Sequence, residues 1–156
     1  MHQHLVLTSC LALSAAAVAQ MPMPAFSTTY TAQQTRGFFF QCPVPCTIQG
    51  LQVYNEANQP YQVVEVIDFG TVQPPAYPGT AVGTQLFYDN TSLASVIIPC
   101  AVPLIPGNWY GILGACNDFQ GSANSYNSYS AGGAFTSNIL GSPVVIDRFL
   151  TQSGIA

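Results

Sequence analysis

YQVVEVID, residues 61–68, places Tyr61, Val63, Glu65 and Ile67 on one face of an extended chain and Gln62, Val64, Val66 and Asp68 on the other. Both faces are partly apolar, so this strand belongs inside a sandwich rather than on a sheet with one wet side. Outward from it, short runs rich in Val, Ile, Thr, Tyr and Phe are cut apart by Pro, Gly, Asn and Ser. Strands are expected near 27–33, 36–42, 46–54, 61–68, 84–89, 94–102, 109–116 and 143–150. No window carries the three-to-four spacing of a capped amphipathic helix. The expected fold is all-β, a single antiparallel β-sandwich of about eight strands. Gly50 interrupts the alternation of TIQGLQVY, and a bulge there would bring Ile48, Leu51 and Val53 to one face. Two stretches, 70–83 and 117–135, read as long linkers, where binding functions concentrate.

The first 19 residues, MHQHLVLTSCLALSAAAVA, have a short polar start, an apolar run from Leu5 to Val18 and the small-x-small triplet Ala17-Val18-Ala19. This is the layout of a signal peptide, with His2 and His4 where Lys or Arg is usual. The expectation is a domain over 20–156, secreted to the extracellular space or cell surface, with no membrane span, since no other apolar run reaches spanning length.

Past residue 19 the chain contains no histidine and no lysine. Its cations are Arg36 and Arg148, and its acids are Glu56, Glu65, Asp68, Asp89, Asp118 and Asp147. Two arginines do not make a nucleic-acid groove. Ser-His-Asp and Cys-His chemistry lacks its imidazole, and Cys/His zinc sites lack theirs. Carboxylate-only glycoside hydrolysis remains conceivable, but Glu65 and Asp68 fall on opposite faces of one strand, a poor acid/base couple. The expectation is a protein that is not an enzyme and holds no cofactor. A structural calcium ion, held by Asp89, Asn90, Asn117 and Asp118 at loop ends, is the weak candidate metal site.

Cys42, Cys46, Cys100 and Cys116 form an even set, which in an oxidising compartment reads as disulfides. Two apolar runs flank Pro106-Gly107-Asn108. Folded as a hairpin with its loop at 107–109, they set Cys100 opposite Cys116, and directly opposed positions lie within disulfide reach. Cys42 would then pair with Cys46 across PVP, closing a loop too short to stabilise by the roughly 3 kcal/mol of a 15-residue one.

TRGFFFQCPVPCTIQGLQV and VIIPCAVPLIPGNWYGILG together resemble secreted bacterial jelly-roll or galactose-binding-like surface modules over residues 36–116. In these a Gly-aromatic-x-aromatic strand precedes a TI-x-GL-x-V strand, and a later hairpin carries Pro-Gly, an aromatic residue and Tyr-Gly. The resemblance implies a jelly-roll-like sandwich at the cell surface. It brings no catalytic residues, and the four cysteines lie outside its pattern.

Two functions follow from what remains. A chain so poor in charge has little repulsion between copies, so a structural or adhesive role with self-association leads, and the segment 20–34 would pair with its own sheet or a neighbour's edge. The alternative is a lectin-like module binding cell-surface polysaccharide through Phe119, Tyr126 and Tyr129 in the 117–135 linker. Trp109, the only tryptophan, is expected to anchor the core.

Overall fold

The computed structural model describes residues 20–26, 28–32, 35–118, 125–129 and 133–150. Ten strands and no helix are found among them: β1 (Thr28–Ala32), β2 (Arg36–Gln41), β3 (Cys46–Leu51), β4 (Tyr61–Gly70), β5 (Thr84–Asp89), β6 (Ile98–Leu104), β7 (Trp109–Asn117), β8 (Ser125–Tyr129), β9 (Phe135–Ile139) and β10 (Ser142–Leu150). The all-β antiparallel sandwich expected from the sequence is what the chain forms. It has two strands more than expected, because β8 and β9 begin within the stretch read as the 117–135 linker.

Eight strands make one curled sheet and β3 with β6 makes a two-stranded ribbon. β7 is the axis of the large sheet. One of its edges pairs with β4 from Tyr61↔Asn117 to Gly70↔Trp109. The other is divided between β2, opposite residues 109–114, and β8, opposite Cys116 and Asn117. Beyond these lie β5 next to β4, β10 and β9 next to β2, and β1 next to β8. β2 and β7 lie unusually close: a Cβ on Gly37 would sit 1.9 Å from the Ile112 carbonyl oxygen. β9 and β10 join through Leu140 and Gly141, both at positive φ, as in a type I′ hairpin.

The two faces of β4 are both buried, as YQVVEVID predicts. Val66 joins Phe40, Val102, Leu104, Tyr110, Val144 and Ile146 beneath the ribbon. Ile67 joins Phe39, Leu113 and Phe149 on the opposite face, with Phe69, Ala81 and Trp109 packed beside them. The second face is covered by the irregular segment 71–83 rather than by strands. Tyr77 N–H donates to the Arg148 carbonyl at 3.0 Å, on the edge of β10 that β9 leaves after Ile146. The bulge expected at Gly50 is present: Ile48 opposes Val102 and Gly50 opposes Pro99, so the extra residue is carried by β6.

The hairpin expected around Pro106-Gly107-Asn108 does not form. β6 pairs with β3 and β7 with β2 and β4, so this turn carries the chain from one layer to the other. Its backbone groups bond elsewhere. Cys42 N–H donates to the Asn108 carbonyl and Gly107 N–H to the Cys42 carbonyl, both at 2.9 Å. Tyr110 Oη accepts from Ile105 N–H at 2.9 Å. A Pro-Gly turn between apolar runs signals reversal of the chain, but reversal onto a different layer looks identical in sequence.

The segment expected to pair either at home or with a neighbour does so at home. Every residue of β1 opposes one of β8 in its own chain. Ahead of it, residues 20–26 lie as a strap over the large sheet: Met21 packs on the ribbon-side core and the Pro22 carbonyl accepts from Ser137 Oγ on β9.

Candidate functional site

Gln62 organises one end of the molecule. It is fully buried on β4, where an amide side chain must find partners or cost stability. Its Oε1 accepts from Val53 N–H at 2.9 Å, and its Nε2 donates to the Leu93 and Val96 carbonyls at 2.8 and 2.7 Å. Three irregular segments are thereby gathered at one point. The side chains next to these backbone groups turn outward: Tyr54, Leu93, Val96 and Ile97 are 58, 59, 52 and 65 % exposed. The result is an apolar surface patch, of the kind that marks interaction sites. An isolated glutamine in an apolar strand was the signal for it, but sequence alone did not show which segments it would hold.

A second assembly involves both cations of the chain. Arg36 on β2 and Arg148 on β10 come from opposite ends of the sequence onto neighbouring strands. The guanidinium of Arg148 lies 4.5 Å from the Tyr77 ring centroid and that of Arg36 lies 5.8 Å from the same centroid. Arg36 is also 5.8 Å from the Tyr30 ring. Arginines favour such aromatic faces, and the two charges fall within about 10 Å, a Debye length at 0.1 M salt.

Beside Arg36 the strap does not pack flush. A cavity of about 120 Å³ remains between Met23 and Phe26 of the strap and Phe38, Leu51, Val53 and Ile112 of the body, and Arg36 forms part of its wall. Gly114 makes room at its end, since a Cβ there would meet Val53 Cγ2 at 2.5 Å.

The four cysteines are all thiols in the structure, so the two expected disulfides are absent from it. The pairing of Cys100 with Cys116 is also overturned by topology. Cys100 lies on β6, its sulfur 3.5 Å from the Ile48 carbonyl, whereas Cys116 lies on β7 between Gln62 and Tyr126, its sulfur 3.5 Å from the Tyr54 carbonyl. Cys42 and Cys46 do meet, with their thiols within hydrogen-bonding reach. Burial and then the adjacent Cys46 push the Cys42 thiol up to about 11. Burial, followed by the charge of Glu56, pushes Cys116 up to about 12. Neither is a reactive thiolate at neutral pH.

The glycan platform read from loop tyrosines needs correction. Tyr126 is half-buried in β8, opposite Thr31 and Cys116, and Tyr129 ends the same strand opposite Thr28. Phe119 lies outside the described residues. The calcium candidates do not converge either. Asp89 opposes Val64 across one edge of β4 and Asn117 opposes Tyr61 across the other, a separation of roughly 14 Å. Asp89 Oδ1 instead accepts from Thr91 and Ser92 N–H, closing the turn after β5, with Asn90 half-buried inside that turn. Asn117 is buried and Asp118 exposed. The described residues contain no cluster of three or more metal-ligating Cys, His, Asp or Glu side chains. Other acids also hold turns and neighbours: Asp68 accepts from Gly70 N–H at 2.7 Å and Glu65 from Gln85 Nε2 at 2.8 Å.

No protein-family model, curated protein or solved structure matches the chain.

Proposed function

We propose that this is a non-catalytic, exported β-sandwich protein with a structural or adhesive role, which associates with copies of itself through the apolar patch around Gln62. The patch carries this reading: four large apolar side chains, each more than half exposed, stand together on a chain with no lysine. Both arginines are stacked on Tyr77 instead. Nothing cationic guards the patch against a second copy. Export rests on the N-terminal signal layout, and in an oxidising compartment Cys42 and Cys46, already in contact, are the pair to close a disulfide.

Sedimentation across a hundredfold range of concentration tests the assembly. The wild type should shift to larger species as concentration rises. Val96→Lys/Ile97→Lys should stay monomeric with an unchanged melting temperature, because exposed side chains contribute little to folding. A wild type that is monomeric throughout overturns the proposal.

A further inference from the structure

The cavity under the strap and the arginine pair beside it are one site. We infer that they bind an amphipathic oxyanion, most simply a carboxylate on a short apolar body such as a medium-chain alkanoate. The body enters the space between Met23, Phe26, Leu51 and Ile112, and the head group meets Arg36, with Arg148 behind it. This rests on different residues from the self-association above and does not depend on it.

Three observations lead to this class of ligand. The cavity is lined almost wholly by apolar side chains, and its volume of about 120 Å³ is of the size that holds a small hydrocarbon group rather than ordered water. Its one cationic wall residue is Arg36, whose planar fork pairs with oxyanions. Finally, the chain places its whole positive charge here although its net charge is −4. Two guanidinium groups held close on a common ring repel each other, and an anion relieves that repulsion. A small free anion gains little at a half-exposed arginine, and the apolar body supplies the remaining affinity. A wholly apolar ligand would leave the arginines unused. The strap is the movable wall, since residues 20–26 contribute no strand and Met23 and Phe26 remain more than two-fifths exposed.

Octanoate and 1-octanol, titrated into the full-length protein with methyl NMR as the readout, test the site. Octanoate should shift the Ile112 and Leu51 methyls and raise the melting temperature. Arg36→Gln should weaken octanoate roughly tenfold and leave octanol binding where it was, a split that simple loss of packing would not produce. Leu51→Phe, which fills the cavity, should weaken both ligands, and Val96→Lys/Ile97→Lys should weaken neither. The inference is overturned if octanoate does not bind at millimolar concentration. It is equally overturned if Arg36→Gln weakens the acid and the alcohol alike, or if the shifts fall on Leu93, Val96 and Ile97 instead.

Discussion

The two faces of the large sheet are closed by unlike covers. Under the ribbon, nine buried residues form one cluster and the cover holds itself together by the ladder between β3 and β6. Under segment 71–83 only Phe39, Ile67, Leu113 and Phe149 are buried as a cluster, and the cover is irregular chain pinned at points such as Tyr77 N–H on the Arg148 carbonyl. A strand cover satisfies its own backbone and needs the sheet only for apolar contact. An irregular cover must find partners for its backbone on the sheet itself. The ribbon side is therefore expected to be the more stable part of the molecule, and the linker side the part that opens first.

The largest test removes both sides at once. Gly37→Ala would drive a Cβ into the Ile112 carbonyl, backbone against backbone, and part β2 from β7. A loss above about 4 kcal/mol is expected, read as collapse of the denaturant midpoint. A stable alanine variant would mean that the strands can part without harm to either face.

A smaller change sharpens the contrast. Phe149 stands edge-on to both Phe39 and Phe69, with centroids 6.1 and 5.2 Å away. Phe149→Ala should cost about 3 kcal/mol and speed hydrogen exchange at Tyr77 much more than in the β3–β6 ladder. Equal acceleration on both sides would show that the two covers open together.

The smallest effect belongs to alkaline pH and to the ribbon face alone. Cys42 is raised from 9.0 to about 11, so the folded state holds that proton more tightly than the unfolded chain does. Its contribution is complete below about 9 and lost as pH rises through about 11. Tyr110, also raised by burial, loses stability in an overlapping range. Under reducing conditions the melting temperature should fall over this window, and less so in Cys42→Ala. With Cys42 and Cys46 oxidised to a disulfide, the cysteine part of the fall should vanish.

The same contrast explains what could be read beforehand. YQVVEVID announced burial on both faces because its valines and isoleucine alternate across a pleat. The strands that went unread are β8, SYNSY, and β9, FTSNI. β8 pairs with TTYTA of β1, and neither of these two carries an aliphatic pattern, because they are held by backbone ladder at the edge of the sheet. Composition reports burial, not pairing. For the same reason Tyr126 passed for a loop residue. The arginine pair was equally hidden, since residues 36 and 148 become neighbours only through the register that sets Arg148 opposite Phe38 and Leu150 opposite Arg36.

Having only two cationic residues has a consequence for survival among proteases. An enzyme that cuts after lysine or arginine has two bonds to choose from, Arg36–Gly37 and Arg148–Phe149, and both lie within strands already paired to each other. Gly37 is pressed against β7 and Phe149 is buried. Such an enzyme can reach neither bond until β2 and β10 separate, so cutting must wait for the sheet to open. Outside the cell, the scarcity of charge that favours association would also act as resistance to digestion.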